Sequence, residues 1–235
     1  MKTFSIICLL GILVGCQTKD NTAIDITVMA DRTDSTTIVK PSVSWILNLS
    51  GLDKLPNRSI DFRFQNIGST DFNPVYTANL KQGSFLDNKL ERKIITARFY
   101  KLIDTLFKTQ NRKVYDYKTS SILKPLVAQL KRISTSKASE KIVILCSDVF
   151  EHSPLFSVYK NKGLQQVTNL SQEFIVGLQK ELNVPRLEGV TLYILHHPDS
   201  VKNNELFTKM CNLYRKLFEP YGLKIRIGID NSITL

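Results

Sequence analysis

The segment Ile24–Ala30, with the sequence IDITVMA, is a compact apolar run that ends abruptly at Asp31. Two similar runs follow: Lys141–Ser147 (KIVILCS), which is the strongest of the three, and Val190–Leu195 (VTLYIL). Runs of this kind are typical of strands whose two faces are both buried. Because parallel sheets bury both faces under helices, the three runs predict the centre of a parallel sheet.

Weaker strand patterns and helical patterns alternate with these runs. Arg58–Asn66 and Val75–Leu80 have the features of half-exposed strands near a sheet edge, and the alternation in Leu223–Ile229 predicts an outer strand. Apolar residues at helical spacing predict four helices, each with a shared apolar face, over Leu90–Phe107, Ile122–Ile133, Phe174–Leu182 and Leu206–Phe218. We therefore expect an α/β fold: a mostly parallel central sheet, Rossmann-like, with helices on both faces.

The N-terminus has the features of a bacterial lipoprotein signal. Lys2 precedes the apolar stretch Phe4–Val14, and Gly15 stands just before Cys16. The stretch is too short to cross a bilayer as a helix. Its resemblance to a lipobox implies cleavage before Cys16, with diacylglycerol on the sulfur and an acyl chain such as palmitate on the amine. An ordinary secretory signal with a chance cysteine, or an apolar core strand, is the alternative.

These features predict three parts in the chain. Residues 1–15 would be the signal peptide, residues 16–22 the lipidated cysteine and a flexible spacer, and residues 23–235 one α/β domain. Several acyl chains hold a protein on a membrane far more firmly than one chain does. The predicted location is the bacterial cell envelope, in the periplasm or on the outer membrane, with the body tethered to a membrane by lipid.

The chain is strongly basic, with 32 Lys and Arg against 21 Asp and Glu and a formal charge of +11. Loss of residues 1–15, which contain Lys2 and no acidic residue, would leave +10. Such a charge suits anionic lipid, nucleic acid or solubility alone. The basic residues are scattered along helices and form no basic arm, so a nucleic-acid partner is not expected.

Two cysteines remain in the predicted mature body, Cys146 and Cys211, far apart in sequence. Cys146 ends an apolar strand and Cys211 lies in an amphipathic helix, so we expect two buried thiols. A disulfide between them, in an oxidising periplasm, is the alternative.

Oxygen-bearing side chains alternate immediately after the first strand. Asp31, Thr33 and Ser35 could point the same way and offer three oxygens to one hard cation such as Mg²⁺. The three residues resemble the Asp-x-Ser-x-Ser signature of von Willebrand factor A-type domains, with Thr33 in place of the first serine. The resemblance extends over nearly the whole body and implies a metal-dependent adhesion site.

Two further parts of that family pattern occur in the expected order. Thr119 and Ser120 precede the helix Ile122–Ile133, and Asp148 follows the strand that ends at Ser147. The resemblance implies that these residues complete the metal site, some of them through water. The alternative is that Asp148, like the acid after the first strand, accepts backbone hydrogen bonds at a turn, and that Ser120 caps the helix.

The chain also departs from the family pattern. Arg32 introduces a cation that could pair with Asp31 or Asp34, Val149 stands where the family usually has glycine, and the loop before the predicted helix lacks the usual glycines. A site that keeps the fold and loses the ion would have these features.

In the family, the metal is not catalytic and leaves one coordination position open for a carboxylate of a partner protein. The segment Val149–Leu170, with Phe150, Phe156 and Tyr159, would lie beside the site and could shape the choice of partner. A surface loop with a few anchoring aromatics is the alternative.

Catalysis has little support in the sequence. His196 and His197 leave the strand Val190–Leu195 as neighbours that point apart, and no H-E-x-x-H helix or cysteine pair supplies further zinc ligands. The G-x-S-x-G, phosphate-loop and dinucleotide motifs are absent. We therefore expect a protein that is not an enzyme and has no small-molecule substrate. A hydrolase holding a metal on Asp31 and Asp148 is the alternative, and it would need a third carboxylate or a lysine at the same rim.

The function predicted from the sequence is that of a membrane-anchored lipoprotein whose von Willebrand A-like domain recruits a protein partner, through a degenerate Mg²⁺-dependent adhesion site. The alternative is a metal-free structural lipoprotein of an envelope or transfer complex that makes its contacts through its basic surface.

Overall fold

The computed structural model describes residues 23–33, 39–68, 73–84, 87–112, 119–197 and 199–228. Strands and helices alternate along most of the chain, in the order β1 Ile24–Asp31, α1 Val43–Ser50, β2 Ile60–Ile67, β3 Val75–Leu80, α2 Lys89–Asn111, α3 Leu123–Ser134, β4 Glu140–Cys146, α4 Asn161–Asn169, α5 Gln172–Leu182, β5 Val190–Leu195, α6 Val201–Phe218 and β6 Lys224–Gly228. The predicted α/β class is confirmed. Ser35, Cys16 and the predicted signal and spacer lie outside the described residues.

The strands form one sheet in the order β3-β2-β1-β4-β5-β6. All neighbouring pairs are parallel except β2 and β3, which are antiparallel. The chain leaves β1 toward β2 on one side, and the later strands build outward from β4 on the other side. The boundary between β1 and β4 is therefore the point where strand order reverses, and open α/β sheets bind ligands beside such a point, at the carboxyl ends of the strands.

Each face of the sheet has its own core. Side chains alternate along a strand, so Ile24, Ile26 and Val28 of β1 face α1 and α2. Met29 faces the opposite layer, which contains α3, α4, α5 and α6. Helices cover both faces, as predicted.

Two helices were not predicted. The sequence of α1, VSWILNLS, is only eight residues long, and its start is fixed by Ser42, whose hydroxyl accepts a hydrogen bond from the Ser44 amide. The sequence of α4, NKGLQQVTN, is mostly polar and buries only Gly163 and Val167. Short helices of this kind give too few apolar repeats for periodicity to detect.

The predicted apolar face of α2 is wrong in part. Phe99, Ile103 and Phe107 are buried. Four other apolar residues of the predicted face are exposed instead: Leu90 (65%), Ile94 (44%), Ile95 (42%) and Leu102 (56%). One side of the helix packs against α1, β2 and β3. Its other side is exposed to solvent.

The segment Val149–Leu170 contains α4 and two buried aromatic side chains. Phe156 packs edge-on against Phe174, with ring centroids 5.6 Å apart, and Phe150 is 5% exposed. Only Tyr159 of the three aromatics is exposed. Phe150 and Phe156 therefore anchor this segment to the core and are not available to a partner.

Cys146 and Cys211 are both buried free thiols, as predicted. Burial raises the pKa of each thiol to about 12. In the described part of the chain, no helix is both long enough and apolar enough to cross a membrane.

Candidate functional site

Asp31 receives hydrogen bonds on both of its carboxylate oxygens. Ala30 and Cys146 are register partners in β1 and β4, so the residues that follow them, Asp31 and Ser147, lie side by side at the carboxyl ends of the two strands. The Ser147 hydroxyl donates to Asp31 Oδ2 over 2.8 Å. The Thr33 amide and hydroxyl donate to Asp31 Oδ1 over 3.0 Å and 2.7 Å. Asp31 is thereby fixed at the strand-order reversal, 3% exposed.

Ser120 joins this cluster from the loop before α3. The Thr33 and Ser120 hydroxyl oxygens lie 3.3 Å apart, within hydrogen-bonding distance. Ser120 is itself held by two backbone hydrogen bonds to His152, of 3.1 Å and 2.7 Å. Three predicted site residues, Asp31, Thr33 and Ser120, are thus brought together from two distant parts of the chain.

The other predicted ligands are placed differently. Asp148 is half-buried, and its Oδ1 accepts a hydrogen bond from the Phe150 amide over 2.8 Å. Thr119 is exposed. The Asp148 bond is the turn contact that was the alternative to a metal role, and the Asp31 bond to the Thr33 amide is of the same type.

Ser147 was not selected from the sequence as a site residue, although it contacts Asp31 directly. The signal that identifies it is strand alternation, since the parallel register places Ser147 beside Asp31 once Ala30 and Cys146 are paired. The Ser147 hydroxyl also accepts a hydrogen bond from the Val149 amide over 2.8 Å. Ser147 therefore links Asp31 to the turn after β4.

That turn contains a strained residue. Val149 has φ = 59°, in the left-handed region that β-branched residues rarely adopt, and its side chain is fully buried. Val149 is the position at which the von Willebrand A-type pattern usually has glycine. The backbone conformation therefore suits the family residue better than the residue present here.

Glu151 caps α3, a role that the sequence did not reveal. Its Oε2 accepts hydrogen bonds from the amides of Ile122 and Leu123, each 3.0 Å long, whereas a cap by Ser120 was the alternative to its metal role. Oε1 is buried and has no hydrogen-bond partner in the described part of the chain. Burial raises the pKa of Glu151 to about 7, although the Ser153 hydroxyl and the two amides lower it. Glu151 therefore titrates near neutral pH.

Arg32 points away from the Asp31 carboxylate. Its guanidinium donates to Asn66 Oδ1 over 3.0 Å and to Asn111 Oδ1 over 2.8 Å. These partners lie at the ends of β2 and α2, on the opposite face of the sheet from α3. The expected pairing with Asp31 is not among these bonds, and Asp34 lies outside the described residues.

The two histidines after β5 point apart, as predicted. His196 is 2% exposed and packs on Phe207, with ring centroids 4.7 Å apart, whereas His197 is exposed. Neither ring nitrogen of His196 has a hydrogen-bond partner among the described residues. Burial lowers the pKa of His196 to about 4. His196 is a neutral core residue at physiological pH.

The donor chemistry of the Asp31 cluster determines which cation it suits. Asp31, Thr33, Ser120 and Ser147 present only oxygen atoms, which hard cations such as Mg²⁺ prefer and zinc sites seldom use alone. Among the described residues, no group of three His, Cys, Asp or Glu side chains could hold a metal ion. The four side chains therefore offer oxygen donors but only one carboxylate, and both oxygens of that carboxylate already accept hydrogen bonds.

No protein-family model matches this chain, and no curated protein sequence matches it. The von Willebrand A-type resemblance stays a prediction, which depends on the residues and their arrangement.

Proposed function

We propose that this chain is a membrane-anchored envelope lipoprotein whose von Willebrand A-like domain recruits a protein partner at the Asp31 edge of its sheet. One observation carries the proposal: Asp31, Thr33 and Ser120 converge at the strand-order reversal between β1 and β4. The lipobox that ends at Cys16 supports the anchor.

The charge of the cluster suggests how a partner would bind. Asp31, Thr33 and Ser120 would hold Mg²⁺, with Asp148 and Ser35 acting through water. One carboxylate leaves much of a divalent charge uncompensated, and affinity depends on the number of charged ligands. A carboxylate of the partner would supply the missing charge. Such an arrangement makes metal binding and partner binding mutually dependent.

Site-specific cross-linking tests this function. A photoreactive residue at exposed Tyr159, whose ring contacts the His152 that is bonded to Ser120, would report on partners at the Asp31 edge. One at exposed Thr208 on α6 would report on a distant surface. We expect a cross-linked product from Tyr159 that is lost with a chelator or with Asp31→Ala. Asp53→Ala, which changes an exposed acid elsewhere, is the matched control. A product unchanged by Asp31→Ala and by the chelator would reject the proposed site.

A metal-free structural role is the second candidate. Both oxygens of Asp31 already accept hydrogen bonds from Thr33 and Ser147, so the cluster is satisfied without an ion. In this case Asp31 would brace the sheet edge, and the basic surface would make the contacts within an envelope complex. Charge reversal of surface lysines would then abolish partner cross-links, whereas chelation would leave them unchanged.

A further inference from the structure

We infer that α2 is a membrane-docking helix, which lays its basic, apolar outer side on an anionic lipid surface. This inference rests on the proposed lipid anchor at Cys16. Two independent properties of the described residues carry it: the composition of the outer side of α2, and the position of α2 beside the point where the proposed tether enters the domain.

The outer side of α2 combines exposed apolar and basic side chains. Leu90 and Ile94 are 65% and 44% exposed, and successive residues turn by about 100°, so Leu90 lies opposite the buried Phe99 and Ile94 lies opposite the buried Ile103. Leu102 flanks them at 56% exposure. Exposed apolar residues that share one side of a helix and are rimmed by polar residues mark a protein or membrane interaction site.

The helix α2 is predominantly basic. Its sequence, KLERKIITARFYKLIDTLFKTQN, contains six Lys and Arg residues and two acidic residues. Lys93, Arg98 and Lys101 are exposed among the apolar residues. Basic residues beside leucine and isoleucine are the composition of helices that lie in a membrane interface. Anionic headgroups provide the complementary charge.

The start of α2 lies at the end of the sheet where β1 begins. Ile24 pairs with Ile60, and Ile60 pairs with Leu80, so the start of β1 and the end of β3 share one edge. Arg92, in the first turns of α2, donates to the backbone carbonyls of Pro56, Arg58 and Lys81, and so ties the helix to that edge.

The reach of the tether makes this position significant. Seven residue steps separate Cys16 from Ala23, and an extended chain spans at most about 3.6 Å per residue, or roughly 25 Å in all. A lipid on Cys16 would therefore keep the edge that carries Leu90 close to the bilayer. The exposed apolar residues of α5 and α6, Val176 and Val201, lie in the layer on the opposite face of the sheet.

Labelling of the complete lipidated protein tests the inference. The full chain would be produced in a bacterium that processes lipoproteins and reconstituted on vesicles of phosphatidylcholine, with or without phosphatidylglycerol. An environment-sensitive dye would be attached at Leu90→Cys or Leu102→Cys, and at Val176→Cys as the matched control. Cys146 and Cys211 are buried, so wild type treated with the same dye measures the background labelling. Vesicle flotation reports the anchor, and quenching by a lipid-borne quencher reports docking.

We expect a blue shift and quenching at positions 90 and 102 on anionic vesicles, both decreasing as salt screens the lipid charge, and neither at position 176. Lys93→Glu with Lys101→Glu should remove the quenching while flotation persists. Lys162→Glu with Lys180→Glu, on the opposite layer, should leave it unchanged.

The remaining outcomes overturn one claim or the other. Failure to float rejects the lipid anchor. Flotation without quenching at positions 90 and 102 rejects docking and leaves the anchor intact. Equal quenching on neutral vesicles rejects recognition of anionic lipid, and a shift that grows with protein density on neutral vesicles indicates contact between copies and likewise overturns the inference.

Discussion

The hydroxyl of Ser147 donates a hydrogen bond to the carboxylate of Asp31 over 2.8 Å, although 116 residues separate them in the chain. This bond joins the ends of β1 and β4 at the strand-order reversal. It also aligns the carboxylate with the Thr33 and Ser120 hydroxyls, so the candidate site is built by sheet register and not by a local motif alone.

Removal of the Glu151 carboxyl should change the pH dependence of stability. The pKa of Glu151 is about 7 in the folded protein against an ordinary value of 4.5. Between these values the unfolded chain releases the proton and the folded chain keeps it, so the free energy of unfolding falls as pH rises, by about 3 kcal/mol in all. Glu151→Gln keeps an acceptor for the α3 amides and should lose this decline, as urea titrations at each pH would measure.

Glu173→Gln, at an exposed position in the first turn of α5, is the control for Glu151→Gln. Equal pH slopes for wild type and Glu151→Gln would show that Glu151 does not bind its proton more tightly in the folded state.

His196 should make the free energy of unfolding fall as pH falls, which is the opposite pH dependence to that of Glu151. Its pKa is about 4 in the folded protein against an ordinary value of 6.5. Below pH 6.5 the unfolded chain binds a proton that the folded chain does not bind. The free energy of unfolding therefore falls as pH falls toward 4, by on the order of 3 kcal/mol. His196→Leu should flatten this acid limb in urea titrations. His197→Leu, at the exposed neighbouring position, should leave the limb intact, and an unchanged limb in His196→Leu would contradict the account.

The close approach of α4 to the preceding turn requires glycine. A Cβ at Gly163 would lie 2.1 Å from the carbonyl oxygen of Ser157, which is backbone and cannot move away alone. Gly163→Ala should therefore lower the free energy of unfolding by about 1–3 kcal/mol. Gly177→Ala, on α5 with nothing within 4 Å, should raise it by about 0.5–1 kcal/mol. Chemical denaturation of both variants measures the two changes in the free energy of unfolding. An unchanged free energy for Gly163→Ala would contradict the close approach of Gly163 to Ser157.

The ion pair between Arg132 and Asp25 should matter more than a surface pair. Arg132 donates from two guanidinium nitrogens to the Asp25 carboxylate, each over 2.8 Å, and the Asp25 side chain is only 4% exposed. Arg132→Met would leave that carboxylate buried without its partner and should cost about 3–5 kcal/mol. Lys131→Met, at the exposed neighbouring position, should cost less than about 0.5 kcal/mol. Similar losses in the two variants, measured by urea denaturation, would contradict this role of the pair.

The strands of the sheet were predictable because the pattern that marks each strand lies within one short segment of sequence. β3 and β5 have the bounds that the sequence predicted, Val75–Leu80 and Val190–Leu195, since Pro74 marks the start of the first and the second is an apolar run. The short helices α1 and α4 were not predictable in the same way. The exposed Leu90 and Ile94 were assigned to the core because periodicity shows which residues share a face but not how wide a strip the neighbours cover.

The site was predictable where a local motif or the von Willebrand A-type resemblance includes its residues, as for Asp31, Thr33 and Ser120. Asp31 and Thr33 are two residues apart, and their contact follows from the turn after a strand. The contact of Ser147 with Asp31 requires the register between two strands, and the capping of α3 by Glu151 joins residues 28 and 29 positions apart. Such contacts are tertiary, so no window of sequence contains both partners.

The most direct test is titration calorimetry of Mg²⁺ and Mn²⁺ with the full chain, comparing wild type with Asp31→Ala and with the matched surface control Asp53→Ala. Folding of each variant would be verified by circular dichroism. We expect weak binding at millimolar metal that Asp31→Ala abolishes and Asp53→Ala preserves. Absence of metal binding by folded wild type, or binding unchanged in Asp31→Ala, would contradict a metal-dependent recruitment site at the Asp31 edge.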